Sequence, residues 1–115
     1  MTLSEEKNNQ ISILGLSGRF DLEGAKMFAE KIAQILAGGG RNTLLEFTEV
    51  TYISSAGLRV LVLAGKQLAG AGGIMVLAGI TDPVRKVFQI CNMESIFTVR
   101  TTRAESLSLF PQPVS

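Results

Sequence analysis

Two periods of apolar residues alternate along the chain, the two-residue period of strands and the 3.6-residue period of helices. Ile11, Ile13 and Leu16 mark a strand-like run after Asn8-Asn9, which reads as a turn from a short N-terminal strand. Beyond Gly18-Arg19-Phe20-Asp21, a helix places Ala25, Phe28, Ala29, Ile32, Ile35 and Leu36 on one face, and Gly38-Gly39-Gly40 ends it. Thr43 to Phe47 reads as a largely buried strand. A second helix carries Leu58, Leu61, Val62, Gly65, Leu68 and Ala69 on one face and stops at Gly70-Ala71-Gly72-Gly73. Ile74 to Ala78 is a continuous apolar run, as in a central strand covered by helices. Asp82 reads as the N-cap of a third helix with Pro83 at its first position, and Val84, Val87, Phe88 and Cys91 form the apolar stripe. Ile96 to Val99 is a last short strand, and Thr102 and Glu105 have capping-box spacing ahead of a helix through Leu107.

Repeated strand–helix–strand units imply right-handed crossovers and a mixed, mostly parallel sheet, to which the N-terminal hairpin adds an antiparallel edge. The predicted fold class is α/β, one domain over residues 1–115 with about four helices, its ends (1–8 and 110–115) less ordered. Such crossovers gather the helix starts at the carboxyl end of the sheet, where sites on open sheets lie. The loops at Asp21 and at Ser54-Ser55 should share that end.

Composition narrows the classes of function. The chain has 115 residues, 46% of them apolar and 18% charged, which suits a globular domain with a real core. A net charge of +1 with no basic stripe argues against nucleic acid as the main partner. The start, Met1 to Lys7, is polar and acidic, unlike a secretory signal, and no apolar run reaches the roughly 18 residues of a membrane span. A single Cys91 excludes an internal disulfide, so the reducing cytoplasm is the expected location and direct membrane insertion is not expected.

The candidate chemistry centres on Ser54-Ser55, two hydroxyls between a strand and a helix start that tolerates a phosphate. Either serine can cap the second helix, and local spacing favours that bland role. A nucleophilic serine needs a base; the chain contains no His and no lysine close in sequence, which leaves a remote one such as Lys26, so catalysis is not expected. Gly15-x-x-Gly18 and Gly38-Gly39-Gly40 lack the Lys-Ser/Thr ending of a phosphate loop and read as turn and cap signals. Asp21 can cap the first helix or set the charge around Ser55. Cys91 reads as a core residue. Arg59, Arg85 and Lys86 fall on outward helical faces and suit an acidic patch on a protein partner. No metal site and no cofactor are expected.

Val50-Thr51-Tyr52-Ile53-Ser54-Ser55-Ala56-Gly57-Leu58 strongly resembles the signature of the STAS domain as found in bacterial anti-sigma factor antagonists. The resemblance continues in Leu16-x-Gly18-x-Phe20-Asp21, in Gly73 to Ile80 and in Val84-Arg85-Lys86-Val87-Phe88, so it runs from about Ile11 to about Leu107. It implies a STAS-like fold and a switch. In the family, the serine matching Ser55 is phosphorylated by a partner anti-sigma factor that is itself an ATP-dependent serine kinase. The unphosphorylated antagonist binds that kinase and frees the sigma factor; the phosphorylated form lets go, and a phosphoserine phosphatase of the PP2C type resets it. The resemblance assigns the phosphate to Ser55, with Ser54 as the alternative, and partner contact to Asp21, Ser54, Ser55, Ala56, Gly57 and Arg59. Many members carry Asp where Ser54 stands, so this chain lacks a charge there and offers a second hydroxyl. Rival readings are a STAS scaffold subunit of a transport or signalling complex, and a small-ligand or nucleotide-binding module.

Overall fold

The computed structural model describes residues 1–111. Its elements run β1 (Thr2–Asn8), β2 (Ile11–Phe20), α1 (Leu22–Ala37), β3 (Asn42–Ile53), α2 (Ser55–Gly70), β4 (Met75–Ala78), α3 (Asp82–Ile90), β5 (Thr98–Arg100) and α4 (Arg103–Leu107). The five strands form one sheet in the order β1-β2-β3-β4-β5, antiparallel between β1 and β2 and parallel elsewhere. This is the α/β architecture with a mixed sheet and four helices that the apolar periods predict.

Strand alternation divides the core in two. Leu14, Leu16 and Phe20 of β2 pack with Leu45, Phe47, Val50 and Ile53 of β3 under α1, α2 and α3, whose Phe28, Leu61 and Phe88 complete the larger cluster. Ile11, Ile13, Leu44, Val76 and Ala78 point the other way, where Leu107 of α4 and Phe110 cover them. Arg103 fixes α4 to the sheet: Nε and Nη2 donate to the two carboxylate oxygens of Glu46 at 2.9 and 2.6 Å, and Nη2 also donates to Glu6 at 2.8 Å. These hydrogen bonds, Glu46's first, raise the Arg103 pKa above its ordinary value. Among the described residues, no helix is long and apolar enough to cross a membrane.

Several expectations need correction. Residues 1–8 are not loose: β1 pairs with β2 from Thr2↔Ser17 to Asn8↔Ile11, and Lys31 of α1 donates to Glu5 at 3.0 Å. At the other end Phe110 is buried, and residues 112–115 lie outside the described residues. The third strand continues six residues past Phe47, to Ile53. The cap of α3 is Thr81, with Asp82 and Pro83 already helical; the Thr81 hydroxyl instead donates to Val50 O at 2.8 Å. Cys91 is exposed at the C-cap of α3 because the helix ends before its stripe makes another inward turn. The last strand is displaced to Thr98–Arg100, and Ile96 is 57% exposed.

The extension of β3 has a geometric cause. Between Gly15↔Glu46 and Ser17↔Glu49, and again between Gly18↔Val50 and Arg19↔Tyr52, β3 holds one more residue than β2. Such bulges bend and twist a strand and re-aim its side chains. Here they keep Phe47, Val50 and Ile53 facing inward at a spacing of three, and they bring β2 and β3 level at Phe20↔Ile53.

Candidate functional site

The site forms where β2 and β3 end side by side. Phe20 and Ile53 are register partners, and the residue after each is an extended helix cap, Asp21 for α1 and Ser54 for α2. The two caps are tied through one carbonyl: Phe20 O accepts from Ser54 N at 3.0 Å and from Ser54 Oγ at 3.3 Å. Asp21 Oδ1 accepts from Gly24 N at 3.1 Å. That N–H holds the Asp21 carboxyl below the usual carboxylate range against the opposing effect of desolvation, and the charge of Arg19 assists. Asp21 is therefore the side-chain cap of α1 and a negative charge at the carboxyl end of the sheet.

The two serines are not equivalent. Ser54 Oγ accepts from Gly57 N at 3.1 Å while donating to Phe20 O, so both halves of its hydroxyl are engaged. Ser55 is the first residue of α2, is exposed, and its hydroxyl has no hydrogen-bond partner among the described residues. The first N–H groups of a helix have no carbonyl a turn behind them. Gly57 N and Leu58 N are satisfied by Ser54, which leaves the amides of Ser55 and Ala56 beside the free hydroxyl. Its surroundings suit a phosphate. Arg59 lies four residues along, on the same helical face, exposed and without an ion-pair partner among the described residues.

Gly57 belongs to the construction of the site more than to its surface. It is buried, and a Cβ there would lie 2.7 Å from Phe20 O and 2.8 Å from Ile53 Cγ1 and Phe20 Cδ1. Glycine lets the first turn of α2 seat against the end of β2, where the Ser54 bonds close. Gly57 thus has a packing role at the site, and its neighbour Ala56 is half-buried.

One pair escapes a reading of the sequence. Arg19 Cζ sits 4.1 Å from the centre of the Tyr52 ring, a cation–π contact beside the two caps. Nothing in linear spacing brings these residues together, because their pairing follows the second bulge of β3.

The cap and the free hydroxyl make different demands on substitution. Ser54→Ala is expected to destabilise the fold by about 1 kcal/mol, whereas Ser54→Asp, which keeps an acceptor for Gly57 N but cannot donate to Phe20 O, should lie between it and the parent. Urea unfolding of the three proteins measures this; equal midpoints for parent and Ser54→Ala would remove Ser54 from the cap.

Comparison with known proteins follows the geometry. The family profile of the STAS domain matches residues 3–106. BtrV of Bordetella bronchiseptica, named for an anti-sigma factor antagonist role, is 34% identical over 110 residues, 96% of this chain and 95% of its own. Among solved structures, a Thermotoga maritima protein described in the same terms superposes with a TM-score of 0.88 at 22% identity, covering 96% of this chain and 95% of that one. The anti-sigma factor antagonist SpoIIAA superposes in its unphosphorylated form with a TM-score of 0.79 at 19% identity, over 93% of this chain and 94% of its own. The phosphorylated Bacillus form gives 0.73 at 18% identity, over 93% and 97%.

Proposed function

Because this chain belongs to the STAS domain family, we propose that it is an anti-sigma factor antagonist, switched by phosphorylation of Ser55 and without catalysis of its own. The names carried by BtrV and SpoIIAA support the antagonist role. The observation that carries the choice of residue is the exposed, unpartnered hydroxyl of Ser55 next to the doubly engaged hydroxyl of Ser54. Unphosphorylated, the domain binds an anti-sigma factor that is a serine kinase, through Asp21, Ser55, Ala56 and Arg59 around the joined ends of β2 and β3. That kinase transfers the γ-phosphoryl of ATP to Ser55 Oγ, the hydroxyl proton leaves to a base on the kinase, and ADP departs. A PP2C-type phosphatase then hydrolyses the ester and restores the binding form. Both steps belong to the cytoplasm, where ATP and the sigma factors are.

A helix start accommodates this chemistry without unfolding. The phosphoserine dianion gains favourable interaction with the amino end of α2, about 0.3–1 kcal/mol at an exposed position. Incubation with ATP and the cognate kinase is expected to add one phosphate by intact-mass analysis, and Ser55→Ala to remove it. Phosphate retained on Ser55→Ala and lost on Ser54→Ala would transfer the role to Ser54 despite its bonds.

A further inference from the structure

One row of side chains breaks the apolar pattern on the helix-facing side of the sheet. The second row from the amino end holds Leu14, Leu45 and Leu77, all in the larger core. The first is Lys7, Ser12, Thr43 and Met75, register partners across four strands. Ser12 is 3% exposed and Thr43 is fully buried beside it, and neither hydroxyl has a hydrogen-bond partner among the described residues. Buried polar groups are nearly always paired, so two adjacent orphans need a reason.

Ser12 opens onto one. It lies in the wall of a recess of about 410 Å³ between the β1–β2 hairpin and the glycine turn that ends α1. Asn9 and Gln10, at φ 51° and 70°, close the hairpin in two residues and so set Lys7 opposite Ser12. Across the recess, Gly40 folds the turn down onto α1, where a Cβ would lie 2.6 Å from Ile35 Cγ2. The amides of Gly38, Gly39 and Gly40 are spent on Gln34, Leu36 and Ile35 carbonyls, so side chains are the donors here. Lys7 and Arg41 line the recess without an ion-pair partner among the described residues. Lys7 shares the row of Ser12, whereas the Arg41 guanidinium rests by Gly72, on the α2 side. Asn42 Oδ1 accepts from Ile74 N at 3.1 Å, which leaves its amide hydrogens to donate. No carboxylate is among the described residues that line the recess.

We infer that this recess binds a phosphate group, with Lys7 and Ser12 on its oxygens and Asn42 and Arg41 around them. A carboxylate brings one charge and two oxygens. A phosphate brings about −1.5 to −2 charges and three acceptor oxygens, which matches two cations and two neutral donors. The carboxyl end of α1 opposes an anion by roughly half a charge, less than the two cations supply. The volume is within the roughly 300–1,000 Å³ of small-molecule sites and leaves room for a body the size of a pentose. From Ser12 to Phe20 is roughly 25 Å of strand, so this site is distinct from the serines at the other end of β2.

The test is a titration of the full nitrogen-labelled chain with ribose 5-phosphate, inorganic phosphate and ribose at constant ionic strength, read by amide shifts. Both phosphates are expected to move the Ser12, Gly39 and Gly40 signals saturably, and ribose to leave them in place. Tighter binding of ribose 5-phosphate assigns the site to phosphomonoesters and equal binding to free phosphate; either upholds the inference. Lys7→Glu, an exposed change, should weaken binding at least about tenfold and Ser12→Ala about fivefold, while Ser55→Ala should leave it unchanged. If Ser12→Ala does not fold, the Lys7→Glu loss alone decides. Shifts that sodium chloride or ribose reproduces, or an affinity that survives Lys7→Glu, would overturn the inference. So would folded Ser12→Ala protein that binds like the parent.

Discussion

Phosphorylated on Ser55, the chain is expected to bind its kinase about a hundredfold more weakly than the unmodified form. The modification adds about −1.5 to −2 charges and three acceptor oxygens at a hydroxyl that is exposed and unpartnered. In the free domain that dianion keeps its water and faces the amino end of α2. In a complex it must be desolvated at the same end of the sheet as the ionised Asp21 cap, which follows Phe20 as Ser54 follows Ile53. Desolvating an uncompensated charge costs several kcal/mol, and about 2.7 kcal/mol already corresponds to a hundredfold. Arg59, one turn along α2, offsets part of this by pairing with the phosphate, which is why the expected loss is a hundredfold and not larger. Calorimetric titration of the kinase with unmodified, phosphorylated, Ser55→Glu and Ser55→Ala proteins gives the series. Ser55→Ala should bind like the parent, and Ser55→Glu, with one charge and no third oxygen, should lie between. A phosphorylated protein that binds as tightly as the parent would sink the switch and leave only a modification without consequence.

Gly57→Ala is expected to lose about 2 kcal/mol of stability, although alanine is the better helix former. Propensity alone would gain about 1 kcal/mol. Against it, the new methyl group would sit 2.7 Å from a backbone oxygen and 2.8 Å from two core carbons. Overpacking of a well-filled site costs about 1–3 kcal/mol, and here the displaced atoms include Phe20 O, the acceptor of both Ser54 bonds. Movement of α2 away from β2 therefore loosens the cap as well as the packing. Gly70→Ala, at the other end of the same helix with nothing within 4 Å of the added carbon, is the control and should be neutral or slightly stabilising. Denaturant unfolding of the two variants compares them directly. Equal stabilities would mean that α2 does not need to lie so close to β2.

Where the sequence was legible, the reason is periodicity. α1 and α2 carry long apolar stripes, and their predicted ends differ from the observed ones by a residue or so, because Gly38 to Gly40 and Gly70 to Gly73 cannot prolong a helix cheaply. The second half of β3 was hidden because two bulges change its inward spacing from two to three, a pattern without the strand period. With that half went the Arg19–Tyr52 contact, which exists only in the bulged register. Cys91 misled for a different reason: it keeps helical phase with Val84 and Phe88, but the helix stops at Ile90. At the site, spacing alone allowed either serine to be the cap. The position of the Phe20 carbonyl, set by tertiary pairing of two strand ends, is what separates Ser54 from Ser55.

The sequential strand order has a consequence for how the domain comes to exist. Each ladder joins strands that are neighbours along the chain, so no strand waits for a distant segment before it can pair. Entropy of loop closure grows with the length closed, and topologies built from near contacts cross their folding barrier faster than those built from remote ones. As the chain emerges from a ribosome, the hairpin, α1 and β3 can assemble once Ile53 is made, and the platform beneath the serines is then in place. The sheet grows in one direction, and its last pieces, β5 and α4, join strands whose carboxyl ends already carry Asp21 and Ser54.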